Sequence, residues 1–128
     1  MKLLLDTHTF MWWDSDTSRI PPETLSQMQQ VDTQLLVSLV SLWEIQIKVQ
    51  IGKLTLQASL AEIIAHQQIE NGVTLLPVTL THILELDNLP QYHKDPFDRL
   101  LIAQCLSESA TLVSCDSIFK QYNCPVIW

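Results

Sequence analysis

Four carboxylates stand where this chain could do chemistry. Asp6 closes the apolar run Lys2-Leu3-Leu4-Leu5, and Asp116 follows Leu112-Val113-Ser114-Cys115. Glu44 and Asp98 stand at the beginnings of helical patterns. In an open α/β sheet, ligands bind outside the carboxyl ends of the strands, so acids at strand ends and helix starts converge on one edge. Hard divalent cations such as Mg²⁺ or Mn²⁺ take oxygen ligands of this kind. Two such ions roughly 4 Å apart can stabilise both the attacking and the leaving oxygen of a phosphodiester displacement. Each acid also has an ordinary explanation. Asp6, Asp98 and Asp116 can serve helix starts as caps or dipole partners, and Glu44 can complete a capping box with Ser41. What the caps leave unexplained is why all four should face the same edge.

The densest stretch is His93-Lys94-Asp95-Pro96-Phe97-Asp98-Arg99-Leu100-Leu101-Ile102-Ala103-Gln104. Asp95-Pro96 reads as an N-cap followed by the first helical residue, where proline loses no hydrogen bond. Asp98 falls one turn in, on the same side as Asp95. Asp95 is also spaced for an i,i+4 pair with Arg99. Leu100, Leu101, Ile102, Ala103 and Leu106 make the helix apolar almost all round, which predicts a buried helix. His93 reads as a loop histidine, open to phosphate or to solvent alone. His8 beside Asp6 reads the same way, as substrate contact or local hydrogen bond. His66 and His82 stand alone on helical stretches and carry no ligand pattern. Trp12, Trp13 and Trp43 read as core or interface rather than as platforms for bases.

These residues need elements to hold them. Apolar runs at 2–6, 34–38, 73–78, 111–115 and 126–128 recur mostly at the spacing of one β-α-β unit, which predicts a parallel sheet covered by helices on both faces. Pro21-Pro22-Glu23 opens a helix to about Gln30, and Leu60, Ile63, Ile64 and Ile69 space another that Asn71-Gly72 stops. A short helix follows over 79–86. Residues 41–51 alternate like a strand in Ile45, Ile47, Val49 and Ile51, yet Ser41-Leu42-Trp43-Glu44 has the form of a capping box; the stretch is read as a helix ended by Gly52.

Composition bounds the rest. The 128 residues, 47% apolar and 16% charged, suit one globular domain over 1–128. A net charge of −7 argues against a broad basic nucleic-acid face, although cations held by carboxylates invert the local sign. Three cysteines without a C-x-x-C pair read as reduced thiols of a cytoplasmic protein. The start is too short for a signal peptide and no run is long enough to span a membrane. Only two glycines leave no phosphate-cradling loop.

Taken together, Leu3-Leu4-Leu5-Asp6-Thr7-His8, Ser41-Leu42-Trp43-Glu44-Ile45 with Lys48 and Gly52-Lys53-Leu54, the 93–104 stretch and Val113-Ser114-Cys115-Asp116 resemble the PIN-domain family. The match is closest to the VapC-type toxins of toxin–antitoxin pairs. The resemblance implies a Rossmann-like three-layer α/β/α sandwich with a central, mainly parallel sheet and the first strand in the middle. It implies a Mg²⁺- or Mn²⁺-dependent endoribonuclease whose acidic quartet falls on Asp6, Glu44, Asp98 and Asp116. A cognate antitoxin and a homodimer are the implied partners, with no membrane. Lys48, Lys53, Lys94 and Arg99 flank the motifs and are candidates to guide RNA, with Ser117 beside Asp116 as a further contact. Many relatives carry threonine near the last acid where this chain has Ser114-Cys115. The rival readings are an α/β binding module whose acids only cap helices, and an aspartyl phosphatase on Asp6. The phosphatase lacks its second aspartate, since His8 occupies that position.

Overall fold

The computed structural model describes all residues 1–128. Five strands, β1 (Lys2–Leu5), β2 (Gln34–Ser38), β3 (Thr74–Leu76), β4 (Thr111–Val113) and β5 (Val126–Ile127), form one sheet in the order β3-β2-β1-β4-β5. Every pairing is parallel, with Leu4 of β1 opposite Leu36 on one side and Leu112 on the other. Six helices cover it: α1 (Thr7–Ser15), α2 (Pro22–Met28), α3 (Leu39–Gln50), α4 (Leu60–Glu70), α5 (Leu80–Glu85) and α6 (Pro96–Ser107). This is the expected three-layer α/β/α arrangement with the first strand central.

The sheet divides the core by side-chain alternation. Leu4, Leu36 and Leu112 join Leu101, Ile102 and Phe119 on one face. Leu3, Leu5, Leu35, Val37 and Val113 turn to the other, against Phe10, Leu42 and Ile45. Adjacent residues of a strand point to opposite faces, so a strand covered on both sides must be apolar throughout. That is why β1, after Lys2, runs through three consecutive leucines, all fully buried.

Two helix boundaries bear on the site. α3 begins at Leu39, with Ser38 as N-cap and its hydroxyl accepting from the Val40 N–H at 3.0 Å. The expected capping box at Ser41 does not form, and the Ser41 hydroxyl is buried without a partner. Glu44 therefore sits in the second turn of α3. α3 also settles the strand-like alternation after Glu44, because it runs unbroken to Gln50, and Gly52 follows at φ +77°. α6 starts as the sequence predicts, with Asp95 Oδ1 accepting from the N–H groups of Phe97 at 2.8 Å and Asp98 at 3.2 Å. Asp95→Ala should cost about 1 kcal/mol in urea unfolding, and Asp95→Asn much less, because asparagine caps equally well. Equal losses for the two variants would mean that the charge of Asp95, and not its cap, is what matters.

Candidate metal centre

Asp6 leaves the end of β1 and caps α1. Its Oδ1 accepts from the Thr9 N–H at 2.8 Å, and its Oδ2 accepts from the Ser114 hydroxyl at 2.5 Å. The same Ser114 Oγ accepts from the Asp116 N–H at 3.1 Å. One buried hydroxyl thus ties the acid after β1 to the acid after β4. Asp116 in turn caps the 3₁₀ turn Ser117–Gln121, with Oδ1 accepting from the Ile118 N–H at 3.1 Å.

Glu44 is held from two directions. Thr7 in the first turn of α1 donates its hydroxyl to Oε1 at 2.7 Å, and Lys48 one turn on meets Oε2 at 3.0 Å. Asp98 looks toward these groups from α6. Burial pushes its carboxyl up to about 6; the His93 hydrogen bond opposes this, and the negative charges of Asp95 and Glu44 add to it. His93 Nε2 lies 2.7 Å from Asp98 Oδ2. The ligand-type atoms of His93, Asp98 and Asp116 all lie within 4.8 Å of one another. Asp6 and Glu44 do not belong to this tightest group. They adjoin it, Asp6 through Ser114 and Glu44 through its charge on Asp98.

The donor chemistry suits a divalent cation. Oxygen donors predominate, and the half-buried Asp98 has two acids near it while Lys48 is spent on Glu44. A cation there would offset both the burial that chiefly raises Asp98 and the smaller repulsion from Asp95 and Glu44.

The other sequence candidates scatter. Lys48 and Lys53 line a cleft of about 570 Å³ together with Thr7, His8, Trp12 and Arg19. His8 is exposed, its ring 5.8 Å from that of Trp12. Lys94 and Ser117 are exposed. Arg99 does not pair with Asp95. Its Nη1 instead donates to the Pro90 carbonyl at 2.8 Å, and reaches the His93 carbonyl and the Tyr122 hydroxyl. Trp43 is 61% exposed and meets Phe97 edge-on at 5.2 Å, each ring one residue before an acid, Glu44 and Asp98 respectively.

Sequence reasoning passed over three residues. Ser114 stands out in the sequence only as a departure from the family pattern, and its hydroxyl is the link between two acids. Arg19 stands in the cationic cleft over the Trp12 ring at 5.8 Å, with no neighbouring motif to signal it. His82 is not alone but fully buried, accepting from the Thr79 N–H through Nδ1 and meeting Glu108 at 3.0 Å. Its role is to close the start of α5 in a capping box, with histidine where glutamate is usual.

Solved structures share the architecture. A chain of the VapBC2 complex from Rickettsia felis, bound to a DNA fragment from its promoter, matches with a TM-score of 0.75 at 14% identity, covering 99% of this chain and 98% of that one. A chain of DNA-bound VapBC from Salmonella typhimurium gives 0.69 at 12% identity, over 99% and 97%. FitAcB from Neisseria gonorrhoeae gives 0.63 at 17%, over 98% and 96%. A search of curated proteins finds no match. The family profile described as PIN domain matches residues 3–123, a span that takes in all four acids and every strand but the last. A parallel sheet with its first strand central, acids gathered at its carboxyl edge and a profile match over nearly the whole length place the chain in the PIN-domain family.

Proposed function

We propose that the protein is a metal-dependent endoribonuclease and the toxin of a toxin–antitoxin pair. The observation that carries the reading is the gathering of Asp6, Glu44, Asp98 and Asp116 at one sheet edge, where burial first, and neighbouring acids second, raise the Asp98 carboxyl. PIN domains are generally nucleases, and the fold is shared with chains of VapBC and FitAB complexes.

In this reading the four acids hold Mg²⁺ or Mn²⁺, which when bound acidifies a water and neutralises charge on the phosphate. The chain's own residues supply the positioning. Thr7 and Lys48 fix Glu44, and Ser114 and the Thr9 N–H fix Asp6, so the site is built before any ion arrives. Lys53 and Lys48 on the nearby cleft, with exposed Lys94 and Ser117, are placed to meet the RNA backbone. Arg99 is better read as a strut for the loop before α6. A cognate antitoxin and a homodimer belong to the same reading. Leu39 and Trp43 on α3, and Leu80, Ile83 and Leu84 on α5, are exposed apolar side chains that a second copy would cover in this reading. A cytoplasmic location belongs to the same reading.

The test is cleavage of RNA with Mn²⁺ by wild type and Asp6→Asn. Asparagine keeps the helix cap, so the fold should persist while cutting falls by more than about 100-fold, beyond the loss usual for an outer partner of a ligand. Undiminished cutting by the variant would rule out the metal mechanism. An intact fold with no cutting by wild type would favour a protein-binding module.

A further inference from the structure

His93 is held at both its backbone and its ring. Its backbone N–H donates to the Tyr122 hydroxyl at 2.8 Å, and its carbonyl accepts from Arg99 Nη1 at 3.5 Å. The same Arg99 nitrogen anchors the Pro90 carbonyl, so both ends of the segment before α6 are tied. The imidazole stands edge-on to the buried Phe119 ring, 6.3 Å between centroids. These contacts fix the ring where Nε2 faces Asp98 at 2.7 Å, with an Asp116 carboxylate oxygen inside the same 4.8 Å span. Without an ion, Nε2 and Asp98 share a hydrogen; Nδ1 has no protein partner and is not buried, so when an ion binds it can carry the ring proton toward water while Nε2 turns its lone pair to the ion.

A six-coordinate ion with ligands at roughly 2.1 Å puts adjacent ligand atoms about 3 Å apart and opposed ones about 4.2 Å apart. His93 and Asp98 at 2.7 Å, with Asp116 inside the 4.8 Å span, come within roughly 0.6 Å of that frame, a difference that small side-chain rotations close. The exposed Asp116 side keeps positions open for water or a phosphate oxygen.

We propose that His93 is itself a metal ligand, and that its imidazole biases the centre toward a first-row transition dication over Mg²⁺. The inference rests on the metal-nuclease reading above and sharpens which ion that site takes. Mg²⁺ is satisfied by oxygen and gains little from imidazole, whereas first-row transition dications accept nitrogen donors readily. A histidine that only oriented Asp98 would serve both ions alike.

The experiment measures binding of Mn²⁺ by electron paramagnetic resonance, and of Mg²⁺ by competition, to the full-length wild type and His93→Gln. Wild type should show ¹⁴N coupling from a directly bound imidazole in the pulsed spectrum of Mn²⁺. His93→Gln should lose that coupling and bind Mn²⁺ about 10–100-fold more weakly, with Mg²⁺ affinity changed less than about threefold. Mn²⁺ bound without nitrogen coupling in wild type overturns the inference and leaves the nuclease reading standing, and this readout needs no variant to fold. Equal losses for both ions in His93→Gln overturn it as well, because they assign His93 to orientation alone. Failure of the wild type to bind either ion overturns both readings.

Discussion

Asp98→Asn should make the metal-free protein more stable at neutral pH while destroying its response to metal. The Asp98 carboxyl is raised by burial from 3.8 to about 6, so the folded state holds its proton more tightly than the unfolded chain does. Below about 3.8 both states are protonated and the group contributes nothing. Between about 3.8 and 6 the unfolded chain gives up the proton first, and stability falls as pH rises. Above about 6 the loss is complete and constant, at most about 3 kcal/mol for a shift of some two pKa units. Asparagine has no charge to bury, so the variant should gain ~1–3 kcal/mol at pH 7 in urea unfolding, and the gain should shrink toward pH 4. With Mn²⁺ at 100 times its dissociation constant the wild type should recover about 2.7 kcal/mol, and the variant almost none. RNA cutting by the variant should drop by more than about 100-fold. A variant no more stable than wild type in metal-free buffer would show that the carboxylate is already compensated.

The strands were legible because β1, β2 and β4 are covered on both faces and so are apolar without alternation. The starts of α2 and α6 were legible because proline can enter only the first turn. The register of α3 was not. Ser38 and Ser41 can both cap, and the competition is decided by where β2 stops, a fact of the sheet and not of the local sequence. The outcome moved Glu44 a turn inward, to where Thr7 reaches it. The expected Asp95–Arg99 pair lost to a carbonyl at Pro90 that only the folded loop presents. His93 was opaque for the same reason, since the residues that fix it, Tyr122 and Phe119, lie far along the chain.

Capping and ligation look like rival roles in the sequence, but a carboxylate has two oxygens. Asp6 and Asp116 each use Oδ1 to cap a helix or turn. In Asp6 the second oxygen is steered by Ser114, and in Asp98 the capping duty falls to Asp95 altogether. The cap holds the side chain still, which is what a ligand requires. Local signals that read as ordinary helix starts were therefore compatible with the site all along.

Ser114→Ala tests whether that steering matters. Ser114 is 1% exposed, and its hydroxyl both donates to Asp6 and accepts from the Asp116 backbone. Alanine removes the two bonds at once, leaving a buried carboxylate oxygen and a backbone N–H without partners. Unfolding stability should fall by ~1–3 kcal/mol, the cost of groups stranded without hydrogen bonds. Mn²⁺ affinity should fall about 10–100-fold, because Asp6 and Asp116 are then free to rotate out of register. Ser114→Thr keeps the hydroxyl and adds a methyl, so it separates the two causes. If threonine restores affinity and alanine does not, the hydroxyl is what aligns the acids. If alanine binds Mn²⁺ as tightly as wild type while losing stability, the hydroxyl only joins β1 to β4, and the alignment of Asp6 with Asp116 comes from the strands alone.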